Sequence, residues 1–269
     1  MELTFTYLAL LFYLSASLAY MGSLATRPGK LLRAAGILAR VGFILHTGAL
    51  AIHLYQQGRP PGTLGDWLSF YAWATAVVYI ITEVHYESKV IGSFAIPLVV
   101  LLLGASAALP KAIETLSPPV KNFGVWTHVI LTLLGNAAFA LACCGALMYL
   151  VQEWLLKSRH PGVLFERLPS LKLLDDLCHF SLTLGFPLLT LGLLSGVLLS
   201  YSVWGSFLSW DGRQIWSTVT WVFYAALLHG RLAGGWRGRK AAILSIIGFC
   251  GVVFATMLAN LLIRGTHAF

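Results

Sequence analysis

Eight apolar runs, each close to or above the roughly 20 residues that a helix needs to cross a bilayer, dominate this chain. They fall at residues 3–22, 34–54, 67–84, 90–109, 123–151, 180–202, 215–233 and 240–263. Hydrophobic residues make up 58% of the 269 residues and charged ones 10%, far from the composition of soluble domains. We therefore predict an all-α, polytopic bundle of about eight transmembrane helices, with residues 1–269 forming a single domain in the lipid bilayer.

The basic residues predict the orientation of this bundle. All but five of the 18 Lys and Arg residues fall on or beside the same set of alternate connections, so the positive-inside rule places both termini outside the cytoplasm. The net charge of +8 is thereby explained by membrane orientation, and it gives no support to nucleic-acid binding. The basic residues on the predicted outer side are Arg59, Lys111, Lys121, Arg213 and Arg264.

A tryptophan-rich segment, WGSFLSWDGRQIWSTVTW at residues 204–221, joins the sixth and seventh apolar runs on the predicted outer side. Tryptophan combines a flat apolar ring with a polar N–H, so it suits a surface that binds a large planar ligand such as a porphyrin. The alternative is that these rings form an anchoring belt at the membrane interface. The polar and aromatic candidates in this segment are Trp204, Trp210, Asp211, Arg213, Trp216 and Trp221.

Two histidines fall on the same predicted face as this segment. His128 begins the fifth run at its outer end, and His267 follows the eighth run. Two imidazoles can ligate the iron of a heme from opposite sides, so we predict non-covalent, b-type heme binding with His128 and His267 as the metal ligands. Arg213, Lys121 or Arg264 could pair with the heme propionates at the wet edge of the site.

Other histidines lie inside the predicted membrane region. His46 and His53 are seven residues apart on the second run, so they share a helical face, and His229 lies near the inner end of the seventh run. Ionisable groups at this depth indicate function by default, and His229 with His46 would suit a path for heme from the cytoplasm to the outer face. Hydrogen bonding between helices is the alternative.

No catalytic constellation accompanies these residues. Of the four cysteines, Cys143 and Cys144 are adjacent and none forms a CxxC pair, so we expect small apolar packing residues without a thiol-redox function. The sequence also shows no nucleophile paired with a base. Any chemistry performed on a bound heme would depend on groups supplied by other molecules.

Four stretches of the sequence carry a family likeness. They are WTHV at 126–129, the segment 204–231 from WGSF to LHGR, GWRGRKAAILSIIGF at 235–249 and NLLIRGTHAF at 260–269. They resemble the cytochrome c assembly protein family of the CcsA (ResC) type, including its shorter HemX-like and YpjD-like members. The resemblance covers about residues 120–269, and upstream only the number and length of the spans agree. Leu208 stands where the family usually has an aromatic residue, and DGRQ replaces the usual DPKE.

The resemblance implies a heme-handling membrane protein whose outer tryptophan motif holds heme between two histidines, with a further histidine in the membrane. The matching residues here are Trp204, Gly205, Trp210, Asp211, Trp216 and Trp221 for the motif, His128 and His267 for the iron, and His229 for the membrane histidine. It implies heme delivery to apocytochrome c, a ResB/CcsB-like membrane partner, and at most a heme-presenting subunit of a cytochrome c synthase. The expected location is the bacterial plasma (inner) membrane with the tryptophan loop in the periplasm. The alternatives are a HemX-like function in tetrapyrrole metabolism and, from a different class, a permease for an unrelated solute.

Overall fold

The computed structural model describes residues 1–26, 29–57, 61–109, 123–158, 162–207 and 212–266, without the side chains of 203–204, 212–213 and 255–266. Within these residues the backbone forms helices and no strand, which confirms the predicted all-α class. A short 3₁₀ turn, Lys89–Ile91, precedes the fourth helix. The helices are α1 Glu2–Ala25, α2 Gly29–Gln57, α3 Leu64–Tyr86, α4 Gly92–Ala108, α5 Phe123–Lys157, α6 Leu171–Trp204, α7 Gly212–Leu232 and α8 Arg239–Thr266.

Six of these helices, α1 to α6, are long and apolar enough to cross a membrane, judged on the described residues. The shortest of the six candidate spans is Lys89–Ala108, with 20 residues, and that length matches the hydrocarbon thickness of a bilayer. Eight spans were predicted, and α7 and α8 are not among the six. Hydroxyl and amide side chains and terminal charges lower the hydropathy of α7, and α8 is described with its side chains only as far as residue 254. The chain is therefore a multi-pass membrane protein.

The helices pack as two groups. Helices α1 to α4 form an N-terminal bundle, whereas α5 packs along α6 and α8, and α7 rests on α6 and α8 to complete a C-terminal bundle. Helix α3 joins the two groups by packing on α5, where the Tyr71 hydroxyl donates a hydrogen bond to the carbonyl oxygen of Asn136 at 3.0 Å. The predicted heme ligand His128 thus belongs to the C-terminal bundle and His46 to the N-terminal one.

Glycines allow α5 and α6 to approach backbone to backbone. A Cβ atom added at Gly135 of α5 would lie 2.9 Å from the backbone nitrogen of Leu189, and one added at Gly185 of α6 would lie 3.0 Å from the carbonyl oxygen of Gly135. Small residues at a membrane helix contact permit this approach, because association in lipid depends on close van der Waals packing. The close contact brings the C-terminal half of α6 against His128.

Helix α6 begins nearer the N-terminus than the predicted apolar run at 180–202. The Ser170 hydroxyl caps the helix by accepting a hydrogen bond from the Leu173 backbone N–H at 3.3 Å. Lys172 and Asp176, one turn apart, form an ion pair at 3.4 Å. An apolar run marks the part of a helix that lies in lipid, and the capped, charged first turns of α6 extend beyond it.

Candidate heme-binding site

His128 lies in the first turns of α5 and faces α6. Its Nδ1 atom is 2.8 Å from the carbonyl oxygen of Gly192, which can only accept a hydrogen bond. Nδ1 therefore carries the ring proton, and the lone pair of the imidazole is on Nε2. This is the arrangement that metal-binding histidines use, since the hydrogen bond at one ring nitrogen fixes the tautomer and orients the other nitrogen toward the metal.

Glycine at position 196 provides the space that the His128 ring occupies. A Cβ atom at Gly196 would lie 2.7 Å from Cε1 of His128 and 3.0 Å from its Nδ1. Ser195 lies beside them, and its hydroxyl donates to the Gly192 carbonyl at 2.7 Å and is 3.5 Å from Nδ1 of His128. The ring is thus held by one hydrogen bond and by direct contact with the α6 backbone.

The predicted tryptophan motif begins with a turn that requires glycine. Gly205 ends α6 in the left-handed region, with φ 70°, and its N–H donates to the Tyr201 carbonyl at 2.9 Å. The Ser200 hydroxyl then donates to the carbonyl of Ser206 at 2.9 Å, and the rings of Tyr201 and Phe207 stack at 4.2 Å. The start of the loop between α6 and α7 is therefore an ordered continuation of α6.

Trp216 and Trp221 lie on α7 and contact neighbouring helices. The Trp221 indole N–H donates to the Thr190 hydroxyl at 2.9 Å, and its ring stacks on Phe186 with centroids 5.6 Å apart. Trp216 meets Phe254 of α8 edge to face at 6.1 Å. Contact of either ring with heme remains a prediction. The contacts of Trp221 show that it packs α7 against α6.

Several predicted site residues fall outside what the structure describes. These are His267, Trp210, Asp211 and Lys121, together with the side chains of Trp204, Arg213 and Arg264. Ligation by His267 and stacking by Trp210 therefore stay predictions from the sequence. Within the described part of the chain, four of the predicted residues lie around α6. His128 is on α5, and Trp216 and Trp221 are on α7; both helices pack against α6. Gly205 lies at the end of α6.

The two membrane histidines that were predicted to share a heme path lie in different bundles. His229 is exposed in the last turn of α7, on a face that also exposes Ile215, Val219 and Val222. His46 is fully buried on α2 and packs against Tyr13 of α1. The packing does not bring His46 and His229 together, so a heme path that uses both histidines stays a prediction.

The contribution of α6 to the His128 site could not be predicted from the sequence. Gly192, Ser195 and Gly196 lie 64 or more residues from His128, and their signal in the sequence is the small-x-x-x-small spacing of Gly192 and Gly196. Among the described residues there is no group of three or more His, Cys, Asp or Glu side chains that could hold a metal ion.

The buried cysteines are packing residues of α5 and α6. Cys143 and Cys144 are buried free thiols, as predicted. Cys178 is also a buried free thiol, and Cys250 is a free thiol on an exposed face of α8. Cys178 donates a weak hydrogen bond to the Ala142 carbonyl at 3.4 Å, which again joins α6 to α5. These contacts are those of small apolar residues between helices.

Comparison with solved structures supports the arrangement of the helices. A chain of the cytochrome c heme lyase CcmF superimposes with a TM-score of 0.63 over 97% of this chain at 16% sequence identity. The match includes 50% of the CcmF chain, so this protein spans half the length of that relative. At this identity the likeness shows a shared fold.

Comparison of sequences is more specific. The cytochrome c biogenesis protein CcsA of Pyropia yezoensis is 30% identical, over 95% of this chain and 93% of its own length. CcsA of Synechococcus sp. (strain CC9902) is 29% identical, over 91% of this chain and 88% of its own. The family model for cytochrome c assembly protein matches residues 62–267, which include both His128 and the tryptophan-rich segment. The chain therefore belongs to the cytochrome c assembly protein family.

Proposed function

We propose that this protein binds heme as cargo at the outer face of the membrane and presents it for the assembly of c-type cytochromes. The observation that carries the proposal is the His128 site, where a hydrogen bond to the Gly192 carbonyl leaves Nε2 as the free ligand atom. Membership of the cytochrome c assembly protein family supports the same function. Neutral imidazole with its second nitrogen fixed is a suitable axial ligand for heme iron.

Heme binding in this proposal is non-covalent, with His128 on one side of the iron and His267 on the other. Trp204, Trp210 and Asp211 then belong to the loop that covers the ring, and Gly205 sets the direction in which that loop leaves α6. Bound heme supplies vinyl groups that react with the cysteine thiols of an apocytochrome c. The chain itself holds and orients the heme.

A membrane partner fits the exposed position of His229. This imidazole lies on an otherwise apolar face of α7, and no hydrogen bond to its ring is seen from any residue that the structure describes. An uncovered polar ring facing lipid is unfavourable, so coverage of this face by a ResB/CcsB-like protein would stabilise it. The proposed location of the complex is the bacterial plasma (inner) membrane, with the tryptophan loop in the periplasm.

Ligand replacement tests the proposal. His128→Gly should lower the heme retained per protein and shift the Soret band, and added imidazole should restore the wild-type spectrum by filling the vacated ligand position. His267→Gly should behave in the same way. His85→Gly, at the inner end of α3, is the matched control and should keep its heme. Wild-type heme content in both His128→Gly and His267→Gly would remove this pair as ligands.

Orientation in the membrane can be tested separately. Single cysteines introduced at Gly62 and Ser206 should react with an impermeant thiol reagent added to intact cells, since both positions are predicted to lie outside. A cysteine at Gly238, between α7 and α8, should react only after permeabilisation. The opposite pattern would put the tryptophan loop in the cytoplasm and contradict delivery at the outer face.

A further inference from the structure

A polar cavity of about 180 Å³ lies at the end of the C-terminal bundle that is farther from His128. It is formed by the first turns of α6, the last turn of α7 and the turn between α7 and α8. Asp175 and Gly192, the partner of His128, are seventeen positions apart on α6, a rise of about 26 Å. The cavity is therefore separate from the proposed heme site. The polar residues that line it are Asp175, Asp176, His179, Arg231 and Arg237.

Arg231 lines this cavity with hydrogen-bond donors that are not used. Its side chain is 4% exposed, and its Nη2 atom donates to the Asp175 backbone carbonyl at 3.1 Å and lies 3.0 Å from Oδ1 of the same residue. Its Nε and Nη1 atoms have no hydrogen-bond partner among the described residues, and the same holds for the buried Nδ1 atom of His179. A guanidinium is always charged, and a buried charged donor without a partner is costly. The unused donors therefore indicate a ligand that accepts hydrogen bonds.

The charges around the cavity favour an anion. Asp175 is paired with Arg231, and Asp176 is paired with Lys172 at 3.4 Å. Arg237 is exposed at the mouth of the cavity, and no carboxylate pairs with it within the part of the chain that the structure describes. Each carboxylate thus has its own cation, and the guanidinium of Arg237 adds a positive charge that is not compensated.

The cavity lies at the level where a membrane surface is expected. The apolar run of α6 starts at residue 180, directly after His179, and the run of α7 ends at residue 233, just after Arg231. In the turn between α7 and α8, the Trp236 ring lies 3.7 Å from the ammonium group of Lys240, and tryptophan beside a basic residue is typical of the membrane interface. The predicted orientation makes this surface the cytoplasmic one, where anionic phospholipids attract basic residues.

We propose that this cavity binds a phosphate group, either on an anionic phospholipid or as free phosphate. Phosphate oxygens accept hydrogen bonds from Arg231 and Arg237, since guanidinium groups match the geometry of phosphate, and Nδ1 of His179 is a third donor. The volume is sufficient, because a single water needs only about 10–15 Å³. A bound phosphate connects α6, α7 and the turn before α8, so it should stabilise the C-terminal bundle.

The experiment uses the purified full chain in detergent and measures its thermal unfolding with two probes. A ligand that binds the folded protein raises the unfolding temperature, and a titration gives its apparent Kd. The lipid probe is phosphatidylglycerol, compared with a diacylglycerol that has the same acyl chains and no phosphate. The soluble probe is inorganic phosphate, compared with chloride at equal ionic strength. A response to the lipid alone identifies a headgroup site, and a response to inorganic phosphate identifies a site for the free anion.

Substitutions connect the response to the cavity. Arg237→Gln should weaken binding of the effective probe by about 10-fold or more, because a charged hydrogen-bond donor is lost. Arg231→Lys keeps a positive charge beside Asp175 but lacks the remaining guanidinium donors, so it should weaken binding similarly. Arg239→Gln is the matched control, because Arg239 is also exposed near this turn but pairs with Glu153 at 3.8 Å and does not line the cavity. It should bind like the wild type.

Three results would overturn the proposal. The first is a wild-type unfolding temperature that neither probe raises. The second is wild-type affinity in Arg237→Gln, whose exposed position allows folding even if Arg231→Lys reduces the yield of folded protein. The third is an equal loss of affinity in Arg239→Gln and Arg237→Gln, which would assign binding to the basic surface as a whole.

Discussion

Substitution of Gly196 by alanine tests how the structure positions the His128 ligand. The added Cβ would lie 2.7 Å from Cε1 of the ring, whereas unbonded carbon atoms are comfortable at about 3.5 Å or more. The ring must therefore move by about 0.8 Å, or α6 must move away from α5. A movement of the ring lengthens its 2.8 Å hydrogen bond to the Gly192 carbonyl.

The substitution should affect both protein stability and heme binding. Overpacking at a helix contact costs about 1–3 kcal/mol, and the loss of one hydrogen bond costs about 0.5–1.5 kcal/mol. Loss of a group that orients a metal-binding histidine typically lowers affinity for the metal about 10- to 100-fold. We therefore expect Gly196→Ala to weaken heme binding by at least about 10-fold while the protein remains folded.

The assay is a heme titration of purified apoprotein followed by the Soret band, with thermal unfolding measured on the same samples. Gly251→Ala is the matched control, because a Cβ at Gly251 of α8 meets no atom within 4 Å. The control should bind heme like the wild type. Wild-type affinity in Gly196→Ala would refute the argument that contact with α6 sets the orientation of His128.

Three further outcomes follow from the packing. Trp221→Phe should lower thermal stability slightly and keep full heme content, because the ring stack remains and only the hydrogen bond to Thr190 is lost; loss of heme would instead make Trp221 part of the heme platform. Trp210→Ala should strip heme at near-normal protein abundance, measured as heme per immunodetected chain, and normal stoichiometry would show that this ring only anchors the loop. Gly92→Ala should reduce folded protein markedly in a size-exclusion assay, because the added Cβ would lie 2.4 Å from Cζ of the buried Tyr20 ring; a normal yield would show that α1 and α4 can separate there.

Much of the fold could be predicted from the pattern of apolar runs. Each of the eight runs overlaps one helix of the structure, because a segment in lipid has to satisfy its own backbone hydrogen bonds. The starts of helices were less predictable. The first turns of α6 are charged and capped by Ser170, features that hydropathy alone does not identify.

The candidate site was predictable in its residue types and not in its contacts. His128 could be chosen because it shares a predicted membrane face with a tryptophan-rich segment. Its partner, the Gly192 carbonyl, depends on the register between α5 and α6, which follows from close glycine packing along both helices. The same limit applies to the N-terminal bundle, where the spacing of His46 and His53 predicts a shared face but the neighbours on α1 and α3 depend on tertiary packing.

The most direct test of heme presentation is the absorption spectrum of the wild-type protein purified from heme-replete membranes. We predict a Soret band with close to one heme per chain at the outer site, and a weaker, shifted band in His128→Gly that returns to the wild-type spectrum on addition of imidazole. A wild-type protein that is folded, isolated from such membranes and free of any Soret band would contradict heme binding by this chain.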